Sequence, residues 1–170
     1  MQLILAIFFW LLSGSVLAQG IYIPITGYIG ENGCSVATES SNFTVRLGTM
    51  TVNSLLNDAP HASPMMKFYI RLEECGLATS QIRVKFSGEP INGGDPTLFM
   101  VDGGGATGVS VEILDKDLAR LSPNVFSTVR NLEVVNGVAV LEFSARYLRT
   151  GLDVTPGSVS MLSTFTLEYL

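Results

Sequence analysis

An all-β sandwich is the fold class this sequence predicts. Three observations carry that reading. Apolar residues recur at every second position in one segment after another, the spacing of half-buried strands. Turn-forming residues separate those segments. No stretch shows apolar spacing that would give an amphipathic helix of useful length.

The strands follow in chain order. Residues 20–29 (GIYIPITGYI) place Ile21, Ile23, Ile25, Gly27 and Ile29 on one face and Tyr22, Pro24, Thr26 and Tyr28 on the other. Residues 42–47 (NFTVRL) put Phe43, Val45 and Leu47 on one face. Residues 67–75 do the same with Phe68, Ile70 and Leu72, and residues 81–87 set Ile82, Val84 and Phe86 against Arg83 and Lys85. A short apolar run spans 97–101. Residues 109–115 set Val109, Val111 and Ile113 against Ser110 and Glu112. Residues 138–148 alternate Leu141, Phe143, Ala145 and Tyr147 with Glu142, Ser144 and Arg146. Residues 158–170 alternate Met161, Phe165, Leu167 and Tyr169 with Thr164, Thr166 and Glu168.

The connectors have their own chemistry. Gly93-Gly94-Asp95-Pro96, Asp102-Gly103-Gly104-Gly105 and Pro156-Gly157 read as turns. Asn136-Gly137 between apolar runs is a strong hairpin signal. Residues 52–64 read as a loop with one helical turn at 52–57, and 118–124 as a second helical turn. No internal repeat or second domain is evident.

The segment at 20–29 stands apart from the others. Pro24 has no amide hydrogen, so it cannot pair on both sides within the middle of a sheet. The segment precedes the first cysteine and has no evident hairpin partner. It is an ordinary first strand, a strand folded back locally, or one given to another molecule; periodicity alone leaves these readings open.

Residues 1–18 (MQLILAIFFWLLSGSVLA) form an apolar run ending in small residues, and Val16-Leu17-Ala18 fits a secretory cleavage site. No Lys or Arg precedes the run. It falls short of the ~20 apolar residues of a comfortable bilayer span, which disfavours a membrane anchor. The chain beyond carries 10 basic and 15 acidic residues, a net charge of −5. That balance argues against nucleic acid and anionic membrane as partners. The 47% hydrophobic content suffices for a core. Cys34 and Cys75 are the two cysteines. In an exported chain they suggest one disulfide. A metal or redox site is the rival, and it lacks ligands: there is no CxxC, and His61 is the one histidine.

No residue pattern supports catalysis. His61 lies in a Pro/Ala/Ser loop, Asp115 and Asp117 in a charged turn, and Glu73-Glu74 at a strand end. The glycines of 103–108 lack the Lys-Ser/Thr and helix of a phosphate loop. Asn42-Phe43-Thr44 matches a glycosylation acceptor but reads as strand.

The runs GYIGENGCSVATESSNFTVRL (27–47) and STFTLEYL (163–170) closely resemble pilin subunits of the chaperone–usher class. Among these the chain looks most like the FimF-type minor (adaptor) subunits of type 1 fimbriae. The shared features are Gly27 seven residues before Cys34, the two cysteines, the penultimate Tyr169, and Gly157 fourteenth from the end. The resemblance implies an incomplete immunoglobulin-like β-sandwich (the pilin fold) that lacks its last strand and bears an N-terminal donor-strand extension. On this reading residues 1–18 are a signal peptide, 19–33 the extension and 34–170 the pilin domain.

The resemblance also implies roles. Ile21, Ile23, Ile25 and Ile29 fill pockets in a neighbour's groove, and Gly27 passes where only a small residue fits. Donor-strand complementation between pilins is a known instance of β-strand addition. Gly157, Phe165, Leu167, Tyr169 and Leu170 belong to this chain's own groove strand, which a periplasmic chaperone engages first. An outer-membrane usher then directs replacement by a neighbouring pilin subunit's extension. No cofactor, metal or catalytic residue is implied. The expected function is a structural minor subunit of a surface fimbria, with no direct membrane insertion. A major rod pilin is the alternative, and a monomeric secreted carbohydrate-binding sandwich is a more distant one. A terminal adhesin is disfavoured because its additional lectin domain has no room here.

Overall fold

The computed structural model describes residues 33–170 apart from 77 and 152. Seven strands and two short helices appear among them: β1 (Ser35–Val36), α1 (Thr38–Ser41), α2 (Val52–Asn57), β2 (Met66–Glu73), β3 (Gln81–Ser87), β4 (Val109–Asp115), β5 (Arg130–Asn131), β6 (Ala139–Arg149) and β7 (Thr164–Tyr169). They form two sheets, ordered β1-β2-β6-β4 and β5-β3-β7, with every pairing antiparallel. Among the described residues this is the expected all-β, immunoglobulin-like sandwich, incomplete by one strand.

Alternation explains the packing. Phe68, Ile70 and Leu72 of β2 turn inward opposite Phe143, Leu141 and Ala139 of β6. In the second sheet Ile82, Val84 and Phe86 of β3 lie opposite Tyr169, Leu167 and Phe165 of β7. The inner faces meet in one apolar core around Phe143, Ile70, Leu72, Ile82 and Phe99. The Cys34–Cys75 disulfide pins the start of the domain to the end of β2, with S–S 2.11 Å.

The hairpin signal at Asn136-Gly137 is realised. Both residues are left-handed (φ 53° and 76°), and Val135 and Val138 exchange both backbone hydrogen bonds at 2.8 and 3.0 Å. That is the conformation a two-residue hairpin loop demands, and Asn and Gly tolerate it. The helical turn expected at 52–57 is α2, where the Thr51 hydroxyl caps the Ser54 amide.

Three local expectations change. Residues 118–124 form no helical turn; Leu118 and Asn124 take left-handed φ of 62°. The Asp115 carboxylate instead organises this turn by accepting from the Asp117 and Ala119 amides. β4 is buried on both faces rather than one. Its second edge is occupied: Phe99 exchanges both backbone bonds with Val111, and Leu121 donates to the Ile113 carbonyl. Finally, residues 42–47 and 158–163 alternate as strands do, yet neither is a strand here. Both border the place where a strand is missing.

Candidate functional site

Residues 41–52 and 154–165 form the two walls of a groove of about 1370 Å³. Its floor is the buried inner face of the sandwich: Phe68, Phe86, Val111, Ile113 and Ala145, with Leu55, Val109 and Tyr147 towards α2. Val45, Leu47 and Met50 face it from one wall, and Val154, Val159, Met161 and Phe165 from the other.

The walls differ in how they are held. The Ser158 and Ser160 carbonyls accept from the amides of Ala106 and Asp102, each at 2.8 Å, so one edge of the second wall is tied to residues 102–106. The chains cross very closely there. A Cβ on Gly157 would lie 2.4 Å from the Ala106 nitrogen, and one on Gly105 would lie 2.1 Å from the Ser158 carbonyl oxygen. Only glycine admits that approach. By contrast, no backbone hydrogen bond among the described residues involves residues 42–50. Among the described residues, residues 42–50 of the first wall are therefore held by side-chain packing.

Backbone amides and carbonyls that lie along an apolar groove without partners need a ladder. An extended segment with alternating apolar side chains supplies one and fills the pockets between the walls. The arrangement is suited to binding a β-strand. Among the described residues no group of three or more His, Cys, Asp or Glu could hold a metal ion.

The expected groove strand divides. Gly157 and Phe165 line the groove. Leu167 packs into the main core, opposite Val84. Tyr169 lies at the disulfide, where its hydroxyl donates to the Cys34 carbonyl at 3.2 Å and its ring packs on Gly33. Burial holds its phenol above the ordinary tyrosine range. The Leu170 amide donates to Gln81 at 3.1 Å, extending the β7–β3 ladder by one bond. The expected donor residues Ile21, Ile23, Ile25, Gly27 and Ile29 lie outside the described residues, as does the expected signal peptide.

The remaining candidates have ordinary surroundings. His61 Nδ1 lies 3.3 Å from the Leu55 carbonyl at the end of α2. Glu73 pairs with Arg71, and Glu74 accepts from the Ser35 hydroxyl. Alternation did not reveal one polar centre. Glu112 is 2% exposed; its two carboxylate oxygens accept from Arg120 Nε and Arg146 Nε, both at 2.6 Å. Arg120 continues to Asp95 at 2.7 Å. On the outer face of the second sheet Arg83 and Glu168 form a two-point pair at 2.8 and 2.9 Å. The Arg83 hydrogen bond holds the Glu168 carboxyl below its usual range.

The described residues thus form an immunoglobulin-like sandwich that is short of one strand, its start stapled by a disulfide. The chain belongs to the fimbrial protein family, whose model matches residues 23–170. It is 32% identical over 154 residues to the S-fimbrial protein subunit SfaG of Escherichia coli O6:K15:H31 (strain 536 / UPEC), covering 91% of this chain and 86% of that one. The fold is similar to that of the P pilus rod subunit PapA, with a TM-score of 0.68 at 21% identity over 81% of this chain and 99% of PapA. It is also similar to a subunit in the structure of a chaperone–usher pilus, with a TM-score of 0.70 at 20% identity over 88% of this chain and 94% of that one.

Proposed function

We propose that this chain is a minor, adaptor-type subunit of a chaperone–usher fimbria, assembled by donor-strand exchange. It is exported to the periplasm, carried by a chaperone, passed to an outer-membrane usher and placed in a cell-surface fibre that supports adhesion. One observation carries the reading: a strand-shaped apolar groove stands open in the described domain of a chain that also holds an alternating isoleucine segment. Similarity to a fimbrial subunit and to the fold of chaperone–usher pilins supports it.

In this mechanism Ile21, Ile23, Ile25 and Ile29 enter a neighbour's groove, with Gly27 at a narrow point. Burying four isoleucine side chains contributes roughly 6–12 kcal/mol gross. Ordering and association reduce the net. Main-chain bonds to both walls add to a joint that seldom opens. The groove of this chain takes a strand first from the chaperone and then from another subunit. Phe165 and Gly157 contact that strand directly, and Leu167, Tyr169 and Leu170 hold β7 in place beside it.

The Ile23→Asp and Ile25→Asp variants test the donor role. Each is expected to bind its chaperone normally and to fail to join the preceding subunit. Normal incorporation of either variant contradicts the assignment.

A rod subunit of the same class is the second reading. It is favoured by the groove and the extension both being apolar within one chain, since copies could then join head to tail. Gold labelling of intact fibres separates the two: an adaptor labels at the tip alone, a rod subunit along the shaft.

A further inference from the structure

We infer that Phe43 positions the first wall of the groove for strand uptake, acting through Phe68. The inference rests on the strand-accepting reading above.

The first wall has no main-chain tether between residues 42 and 50 among the described residues. Its hold on the domain is therefore made by side chains. Val45, Leu47 and Met50 are each partly buried against the apolar clusters. Phe43 makes a different kind of contact. Its ring lies 5.8 Å from that of Phe68, which is fixed in β2 opposite Phe143.

Phe68 does not stand alone. Its ring stacks on Phe143 at 5.4 Å and meets Phe86 edge-on at 6.1 Å. Phe86 in turn meets Phe165, on the opposite wall, at 6.5 Å. Phe43, Phe68, Phe86 and Phe165 all line the groove. A continuous row of rings thus crosses the floor from wall to wall. Phe86 and Phe165 are also joined by the β3–β7 ladder, so that end of the row is fixed by backbone. The Phe43 end has no such backbone tie among the described residues, which makes it the adjustable end.

Phe43 nevertheless remains 38% exposed. A large apolar ring that anchors a wall while leaving a third of its surface uncovered still has surface to offer an incoming strand. With the ring seated, the wall stands ready and the strand need not order it. Without the ring, ordering residues 42–50 becomes part of binding and slows it.

The test uses the chain from Gln19, refolded from denaturant with a labelled synthetic peptide of residues 20–30. Uptake and release rates are measured for wild type, Phe43→Leu and Phe43→Tyr. Phe43→Leu keeps an apolar side chain and loses the ring; it should take up peptide more slowly and release it roughly three- to tenfold faster. Phe43→Tyr should restore both rates. Amide exchange in β2 and β6 should be the same in all three proteins. Equal rates in Phe43→Leu and wild type overturn the inference and leave the strand-accepting reading intact. Loss of β2 and β6 protection in Phe43→Leu also overturns it, because the ring would then serve general stability. Failure of the wild type to take up this peptide overturns the inference for this strand and counts against the rod reading alone, since an adaptor's groove takes a different subunit's extension.

Discussion

Glu112 and Arg146 stand directly opposite each other on β4 and β6, and the buried carboxylate accepts from Arg146 Nε at 2.6 Å. Arg120 occupies the other carboxylate oxygen. A carboxylate 2% exposed is stable only while both guanidinium groups meet it. Replacing Glu112 by Ala leaves two facing cations without their shared counter-charge. The expected loss is about 3 kcal/mol, within the range for breaking a buried pair. Denaturant unfolding of the chain bound to a donor peptide checks it, and Glu112→Gln, which keeps the shape and an acceptor, should lose less.

The Cys34–Cys75 bridge joins residues 41 apart in sequence. In the chain-entropy account, closing such a loop removes about 4 kcal/mol of freedom from the unfolded chain. The Cys34→Ser/Cys75→Ser double variant should therefore unfold at markedly lower denaturant. It should also free residues 33–36 from the end of β2, read as faster amide exchange at Val36 and Ala37.

Tyr169 gives a pH signature. Burial raises its phenol above the unfolded value, so the folded state keeps the proton longer than the unfolded state does. The stability this contributes is complete below about pH 10, the unfolded tyrosine value. It falls as pH rises through the folded value. Tyr147, raised by the same cause, adds to the slope. Tyr169→Phe should flatten the alkaline loss while costing about 1 kcal/mol at neutral pH for the missing bond to the Cys34 carbonyl. Urea titrations at successive pH values above 9 measure both effects.

Much of the fold was legible in the sequence. Period-two spacing located β2, β3, β4, β6 and β7, and β3 and β4 match their expected bounds. Asn136-Gly137 announced its own hairpin because a type I′ turn leaves few other choices of residue. Residues 42–47 and 158–163 carried an equally clear alternation and are not strands here. Alternation reports which side chains seek a core, whereas a strand also needs a ladder; among the described residues 42–47 have no backbone partner, and 158–163 have only the bonds to Asp102 and Ala106.

Glu112 was misplaced for a related reason. A Ser-x-Glu outer face reads as solvated, yet segments remote from β4 cover it, and the balancing arginines come from 8 and 34 residues away. Tyr169 and Gly157 were flagged by resemblance. Their surroundings, the Cys34 carbonyl and the Gly105–Ala106 crossing, exist only in three dimensions.

The central claim is that the described sandwich is one strand short and takes that strand from another molecule. Amide hydrogen exchange across residues 42–51 and 157–163, with and without a peptide of residues 20–30, tests it most directly. The account predicts rapid exchange in both walls of the isolated chain and strong protection of both, together, once the peptide is bound. Walls already protected in the monomeric chain, and unchanged by peptide, would contradict it.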